Sequence, residues 1–421
     1  MELINTFKLA LQTKTLKDSF VTTSGTVING VLGILFYILV ARSLGSENFG
    51  IFTIAVATIT ILADIGSLGI DTGIIRFISK YLNGKYKLFL KLGLEIKILV
   101  WLTVAIFGWL IAPILAQSFF GKSELVQPLR MSLLGAGGAM FFSFIATSFQ
   151  GLQKYWVWSA FNITSNSIRL VLILLLSLTV GLTLENTLII YIVIPFIFFF
   201  LGLFLLPNFL VEKNEQSVIK EFFKFNRWMI LLTIVAALGA RVDTFMAAKF
   251  LSIGQVGLYG VALQVAGVLP QLIFALAAVV APKFASFNTR SQAWNYFKKV
   301  ELLVLGLAFL GILLIPVANL LIPLIYGSVF EGSVRAFTIL FIAQLLFLLS
   351  VPAHQSIFYY FAKPQVFVIF SIINLLMVIF LSIKLIPLWG IEGAAATVLV
   401  GNILNFILPT FWAVKEFARK T

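Results

Sequence analysis

The stretch LGSENFGIFTIA, Leu44 to Ala55, recurs as LSIGQVGLYGVA, Leu251 to Ala262, close to half a chain later. At this shift of 207 positions (251 less 44), Leu44 falls on Leu251, Gly50 on Gly257, Phe52 on Tyr259 and Ala55 on Ala262. The register extends outward, placing Arg42 on Lys249, Arg76 on Lys283 and Leu184-Glu185 on Ile391-Glu392, and a further shift of two brings Lys154 onto Lys363. Self-similarity at a fixed period marks an internal repeat.

Composition says what is repeated. Of 421 residues, 61% are hydrophobic and 11% charged, against about 45–50% and about 25% in soluble domains. Too few polar residues remain to coat a water-soluble fold of this size, so most of the chain is solvated by lipid. Spanning a bilayer takes about 20 mostly apolar residues. Nine windows of that length or more carry no Asp, Glu, Lys or Arg: 19–41, 98–121, 131–153, 186–211, 250–282, 302–330, 336–362, 364–383 and 393–414. Three more apolar stretches are interrupted by charge: 50–76 by Asp64 and Asp71, 155–180 by Arg169, and 225–249 by Arg241 and Asp243. The expectation is an all-α integral membrane protein of about twelve transmembrane helices. Six spans per repeat is an even number, so both repeats enter from one side and form two parallel six-helix lobes, 1–212 and 213–421.

Lys and Arg collect on alternate loops. One side gathers 22 of the 30 basic residues, Lys97 among them, and only Arg169 and Arg241 are left inside spans. By the positive-inside rule both termini are expected in the cytoplasm, and the formal charge of +14 reports topology instead of nucleic-acid binding. The first span is too long for a signal h-region and no small-residue cleavage site follows it, so the N-terminus is expected to be retained. Residues 3–17 and 213–227 each mix apolar and basic positions; they read as amphipathic helices on the cytoplasmic surface or as a plain terminus and linker. With no cysteine and one histidine, His354, disulfide scaffolds, thiol nucleophiles and multi-His metal centres are excluded, and neither a metal site nor a cofactor is expected. No nucleotide-binding module is visible, so uphill work would draw on an ion gradient or a partner.

Charges inside spans cost about 2.5–3.5 kcal/mol each on insertion scales and face a wet or paired interior. Thr53, Thr60, Asp64, Ser67 and Asp71 share one helical face, either a cavity wall with Asp64 or Asp71 as a proton- or cation-responsive group, or a buried ion pair such as Asp71 with Arg76. Thr233, Ala237, Arg241 and Thr244 share another face, with Asp243 pointing elsewhere to pair laterally or cap the outer end. An interior Arg suits phosphate through two parallel charged hydrogen bonds, or serves a structural ion pair. Ser159, Asn162, Asn166 and Arg169 form an inward strip read first as interhelical hydrogen bonding. Thr22, Thr26, Asn29 and Gly33 read equally as packing or cavity lining. Arg76 and Lys283 fall at the mouths of their helices, to attract an anionic headgroup or to snorkel to lipid phosphate. His354 reads as a packed or locally hydrogen-bonded histidine, with a part in proton coupling as the alternative.

Three segments also carry a resemblance. RVDTFMAAKFLSIGQVGLYGVALQV from Arg241 to Val265, VARSLGSENFGIF from Val40 to Phe52, and DIGSLGIDTGIIRFISKYL from Asp64 to Leu82 resemble Wzx-like oligosaccharide flippases of the multidrug/oligosaccharidyl-lipid/polysaccharide exporter superfamily. Ser252-Ile253 stands where the second lobe of that family often has Leu-Gly. The resemblance implies two lobes around a V-shaped central cavity lined by spans 1, 2, 7 and 8. It implies alternating-access transfer of an isoprenoid-diphosphate-linked oligosaccharide from the cytoplasmic to the outer leaflet of the cytoplasmic membrane, for polysaccharide export. Arg241, Arg76, Lys283 and Asn29 would then contact substrate, and Asp64, Asp71 and Asp243 would couple transport to H+ or Na+. A monomer working with membrane lipid, glycosyltransferases and a glycan polymerase is the implied setting. The alternatives are an ion-coupled multidrug exporter of the same superfamily and, more distantly, a membrane glycan polymerase or ligase; an enzyme is not expected, because no large outer loop or convergent catalytic groups are evident.

Overall fold

A computed structural model describes residues 14–82 and 84–419. Within them the chain runs through α1 (Lys14–Ser67), α2 (Ile70–Lys80), α3 (Tyr86–Ile114), α4 (Val126–Gly151), α5 (Tyr155–Thr179), α6 (Leu184–Leu205), α7 (Gln216–Phe250), α8 (Ile253–Ala266), α9 (Val268–Ala285), α10 (Arg290–Tyr326), α11 (Ser333–Leu349), α12 (Val351–Gln355) and α13 (Pro364–Ala418). No strand occurs among the described residues. Among the described residues nine helices are long and apolar enough to cross a membrane, and α11 with the bent segment Val351–Tyr360 makes a tenth. The two longest, α1 and α13, are each broken at a glycine of positive φ, Gly45 (φ 69°) and Gly390 (φ 60°), which divides each into two spans and raises ten to twelve.

Backbone irregularities obey the repeat found in the sequence. Left-handed residues Gly121, Gln153 and Gly181 recur as Gly327, Ala362 and Gly390, and the single 3-10 turn Ser123–Leu125 recurs as Ser328–Phe330. Many of the largest exposed side chains are apolar: Leu99, Ile106 and Leu110 on α3, and Leu302, Phe309 and Leu320 on α10. Contiguous apolar exposure on this scale is what hydrocarbon, not water, accommodates. This is a multi-pass membrane protein.

Two compact units are distinguished by their internal packing. The first comprises the described residues up to Ser43 with Thr58–Ile234; the second comprises Leu44–Ala57 with the described residues from Val235 onward. In the first, α4 packs mainly on α6, α3 and α2, around a phenylalanine core in which Phe77 stacks on Phe89 at 4.6 Å and Phe222 meets both rings. Phe222 and Val218 are buried, so these apolar side chains of the 213–227 stretch are covered by protein, while Phe223 stays exposed. The polar side of the stretch is tied down by Lys80–Glu221 and Lys85–Glu215, 2.8 and 2.6 Å apart. The matching leader, 3–17, lies outside the described residues apart from Lys14–Lys17 at the start of α1.

In the second unit the repeated segments touch. A Cβ on Gly50 would lie 2.0 Å from the Ile253 carbonyl oxygen, and one on Gly257 would lie 1.9 Å from the Ser46 carbonyl oxygen. Ser46 and Ile253 are themselves repeat equivalents, so each copy presses a glycine onto the same carbonyl of the other. Only residues without a side chain permit that approach. Elsewhere in this unit α11 packs on α13 and α8, and Trp294, Phe297, Tyr360 and Phe417 close a second aromatic core.

Candidate functional site

The polar stripe on the second span begins on α1 and ends on α2, with a turn at Leu68-Gly69 between them. Asp71, one turn into the stripe's far end, does not pair with Arg76. Its partner is Lys97 on α3: Nζ lies 2.6 Å from Asp71 Oδ1 and donates to the Met140 carbonyl at 2.9 Å and to Ser67 Oγ at 3.3 Å. The other carboxylate oxygen accepts from Ser143 Oγ at 2.7 Å, and Thr147 Oγ1 donates to Oδ1 at 3.3 Å. The lysine side chain is 0% exposed, and the aspartate side chain 25%. Charge counting had grouped Lys97 with loop cations because it immediately precedes the charge-free window 98–121. The signal that locates it is helical spacing: Leu90, Gly93, Leu94 and Lys97 fall on one buried face of α3. Arg76, released from that pairing, is exposed with its guanidinium 4.5 Å over the Phe225 ring. Asp64 is exposed and Ser67 buried.

On α7, Asp243 is 7% exposed and accepts a hydrogen bond of 2.7 Å from Tyr259 Oη on α8. This is the lateral partner left open by the sequence, supplied by a tyrosine that the repeat had matched to Phe52. Arg241, two residues away, is half-buried, and its Nε is buried without a hydrogen-bond partner among the described residues. Lys283, near the end of α9, is exposed, 5.5 Å over the Phe287 ring. Arg76, Asn29, Asp64 and Asp71 belong to the first unit, and Arg241, Asp243 and Lys283 to the second. His354 sits buried against Phe347 and Phe367, as a packed histidine would.

The inward strip of α5 reaches across to α1. Arg169 Nη1 donates to Asn166 Oδ1 at 3.3 Å, and Asn166 Nδ2 donates to Asn29 Oδ1 at 2.6 Å. The guanidinium carbon stands 4.4 Å over Tyr191 of α6. Beside this chain is a cavity of about 220 Å³ whose wall includes Thr60, Phe142, Ser165, Asn166, Arg169 and Tyr191. In the second unit a larger cavity of about 550 Å³ is bordered by Gln255, Glu331, Arg335, Trp389 and Glu392.

Outside the spans, the ties holding α7 set the local ionisation. The Lys80 ammonium and the Tyr81 hydroxyl hold the Glu221 carboxyl below its ordinary value, and Lys85 does the same for Glu215. The two lysines are raised in return by their hydrogen-bonded carboxylates.

Among the described residues, a succession of long apolar helices with a few charges paired or held inside the spans defines a polytopic membrane protein. Residues 15–288 match the family described as polysaccharide biosynthesis protein, and the chain belongs to that family. It is 23% identical over 176 residues to the lipid II flippase MurJ of Bacillus subtilis (strain 168), a match spanning 39% of this chain and 32% of that protein's length. Among solved structures it resembles an inward-facing multidrug resistance MATE family transporter of the MOP superfamily (TM-score 0.77, 14% identity, 95% of this chain and 98% of the other). It also resembles lipid II flippase MurJ in an inward closed conformation (TM-score 0.76, 14% identity, 94% and 89%). At these identities the likeness concerns the fold, which is the two-lobe MOP transporter fold.

Proposed function

We propose that the protein is a flippase that moves an isoprenoid-diphosphate-linked oligosaccharide from the cytoplasmic to the outer leaflet by alternating access of its two six-helix lobes, 1–212 and 213–421, and that it is not an enzyme. The observation that carries this reading, beside family membership, is Arg241: an arginine within a span, half-buried, whose Nε has no protein acceptor among the described residues. A guanidinium whose buried Nε lacks an acceptor in that setting suits an anion with several acceptor oxygens, and a diphosphate offers them. Arg76 and Lys283, exposed at their helix ends, draw the headgroup from the cytoplasmic leaflet. The carrier's tail stays in lipid. Asp64, exposed on the polar stripe of the second span, is the coupling group for H+ or Na+ in this reading, with Asp71 and Asp243 as the other candidates. Both termini are assigned to the cytoplasm of a cell whose glycosyltransferases and polymerase act before and after this step.

The test is leaflet-resolved analysis of lipid-linked oligosaccharides in cells with and without the protein. Loss should leave them on the cytoplasmic leaflet, and the intact gene should restore transfer. Arg241→Ala, folded and inserted, removes charged hydrogen bonds of about 1.5–3 kcal/mol in all and should slow transfer about tenfold to a hundredfold. Unchanged lipids together with altered sensitivity to organic cations would make the protein a drug exporter instead.

A further inference from the structure

The α5 strip has no role in the diphosphate site just proposed, yet its chemistry is more specific than interhelical glue. Two properties stand out. The first is hydrogen-bond direction. Arg169 donates to the oxygen of Asn166, and Asn166 donates to the oxygen of Asn29, so each amide oxygen already accepts a hydrogen bond inside the protein. Donors outnumber acceptors along the chain: the rest of the guanidinium remains to be satisfied, and its Nε is buried without an acceptor among the described residues. The second is charge. Among the described residues no carboxylate lies within ion-pair distance of Arg169, while an arginine at this depth calls for a counter-charge. Its ring partner Tyr191 holds one face of the guanidinium and leaves the in-plane fork for another group.

The adjoining cavity of about 220 Å³ is below the about 300–1,000 Å³ of sites for drug-sized ligands. That is the scale of one sugar ring, not of an oligosaccharide. The rest of the wall includes Thr60 and Ser165 beside the apolar Ile59, Ala139, Phe142 and Pro195, a mixture suited to a ring with alternating polar edges and C–H faces.

We infer that this cavity is a subsite for one acidic sugar of the transported glycan, with the sugar carboxylate bidentate on Arg169, Asn29 positioning the arginine from outside the cavity through its hydrogen bond with Asn166, and ring hydroxyls on Thr60 and Ser165. The inference rests on the flippase reading and adds a substrate class to it: the lipid-linked oligosaccharide contains a uronate-type residue.

The experiment is equilibrium binding of radiolabelled glucuronate to the purified full-length protein in detergent, with glucose and inorganic phosphate as competitors. Glucuronate should bind, glucose at equal concentration should not displace it, and Arg169→Gln should weaken binding at least about tenfold, the loss of a charged bidentate contact. Asn29→Ala, which keeps the arginine itself, should weaken it by a smaller factor, and this variant decides the matter if Arg169→Gln does not yield folded protein by size exclusion. Displacement by phosphate as readily as by unlabelled glucuronate would assign the site to the diphosphate and overturn the sugar-acid reading. Absence of glucuronate binding, or binding unaltered in folded variants, would overturn the site itself. The flippase reading fails by a different signature: leaflet distributions unchanged on loss of the protein, whatever glucuronate does.

Discussion

Removing either charge of the Asp71–Lys97 pair should be far more damaging than removing both. In Asp71→Asn the Lys97 ammonium, wholly buried, keeps only the neutral Met140 carbonyl and Ser67 hydroxyl as acceptors. Breaking one side of a buried pair typically costs about 3–5 kcal/mol, since an uncompensated charge stays behind. The aspartate side chain retains 25% of its exposure and is partly solvated, which points to the lower end, about 3 kcal/mol. If the first unit unfolds as a domain of about 200 residues, this corresponds to a fall in Tm of roughly 6–12 °C. Lys97→Met should cost less, because the stranded aspartate keeps Ser143, Thr147 and some water. The double variant Asp71→Asn with Lys97→Met should recover to within about 1 kcal/mol of the parent, giving a coupling energy of about 2 kcal/mol or more. The assay is thermal unfolding of the purified protein in detergent at several scan rates, so that kinetic stability is separated from equilibrium. Additive losses, with the double variant the worst of the three, would refute the pairing argument. A stable Asp71→Asn protein with altered dependence of transport on pH or sodium would return Asp71 to the coupling role.

Three further outcomes follow from the structure. Gly257→Ala and Gly50→Ala should each destabilise by at least about 1–3 kcal/mol, since the new methyl meets a backbone oxygen and no side chain can swing aside; equal stability of either variant in thermal unfolding would remove the close approach. The N-terminal turns of α7 should hold their hydrogen-exchange protection across neutral pH and lose it in acid: Glu215 and Glu221 are lowered when folded, so their contribution is complete above the ordinary 4.5 and disappears as pH falls through the lowered values. On the alkaline side the raised Lys80 and Lys85 carry the same ties past 10.5 before losing them, so protection that declines between pH 6 and 8 would contradict these assignments. Asp64→Asn should change how transport responds to the proton or sodium gradient while leaving the fold intact, and an identical response in a flux assay would sink the coupling proposal.

The parts of this architecture legible in the sequence are those governed by solvent and by duplication. Apolar length sets the spans, and the alignment of Gly50 with Gly257 is visible without coordinates, although the contact between their segments is not. Partner choice was harder, for a physical reason. Arg76 is five residues from Asp71 and was the nearest local cation, but a lysine on the following helix reached the carboxylate because α3 packs beside α2, a tertiary fact with no counterpart in local spacing. Tyr259 was matched to Phe52 through the repeat, and its hydroxyl, the one atom in which it differs, is what binds Asp243. The α5 strip was visible as polar periodicity; the direction of its hydrogen bonds and the cavity beside it required atoms.

The paired approach of Gly50 to Ile253 and Gly257 to Ser46 has the logic of an isologous dimer interface, in which position i of one subunit meets j of the other and j meets i. A six-helix protein associating with a second copy of itself would need only one such glycine, since a single gene would supply both sides. A mutation there would strike the interface twice and be purged or kept as a pair. Fusion into one chain separates the two halves: each glycine now guards only its own carbonyl, and the surrounding residues, Phe52 against Tyr259 among them, are free to diverge one side at a time. Asymmetry of function, with different charges on equivalent helices, becomes accessible to the fused chain in a way that a symmetric homodimer forbids.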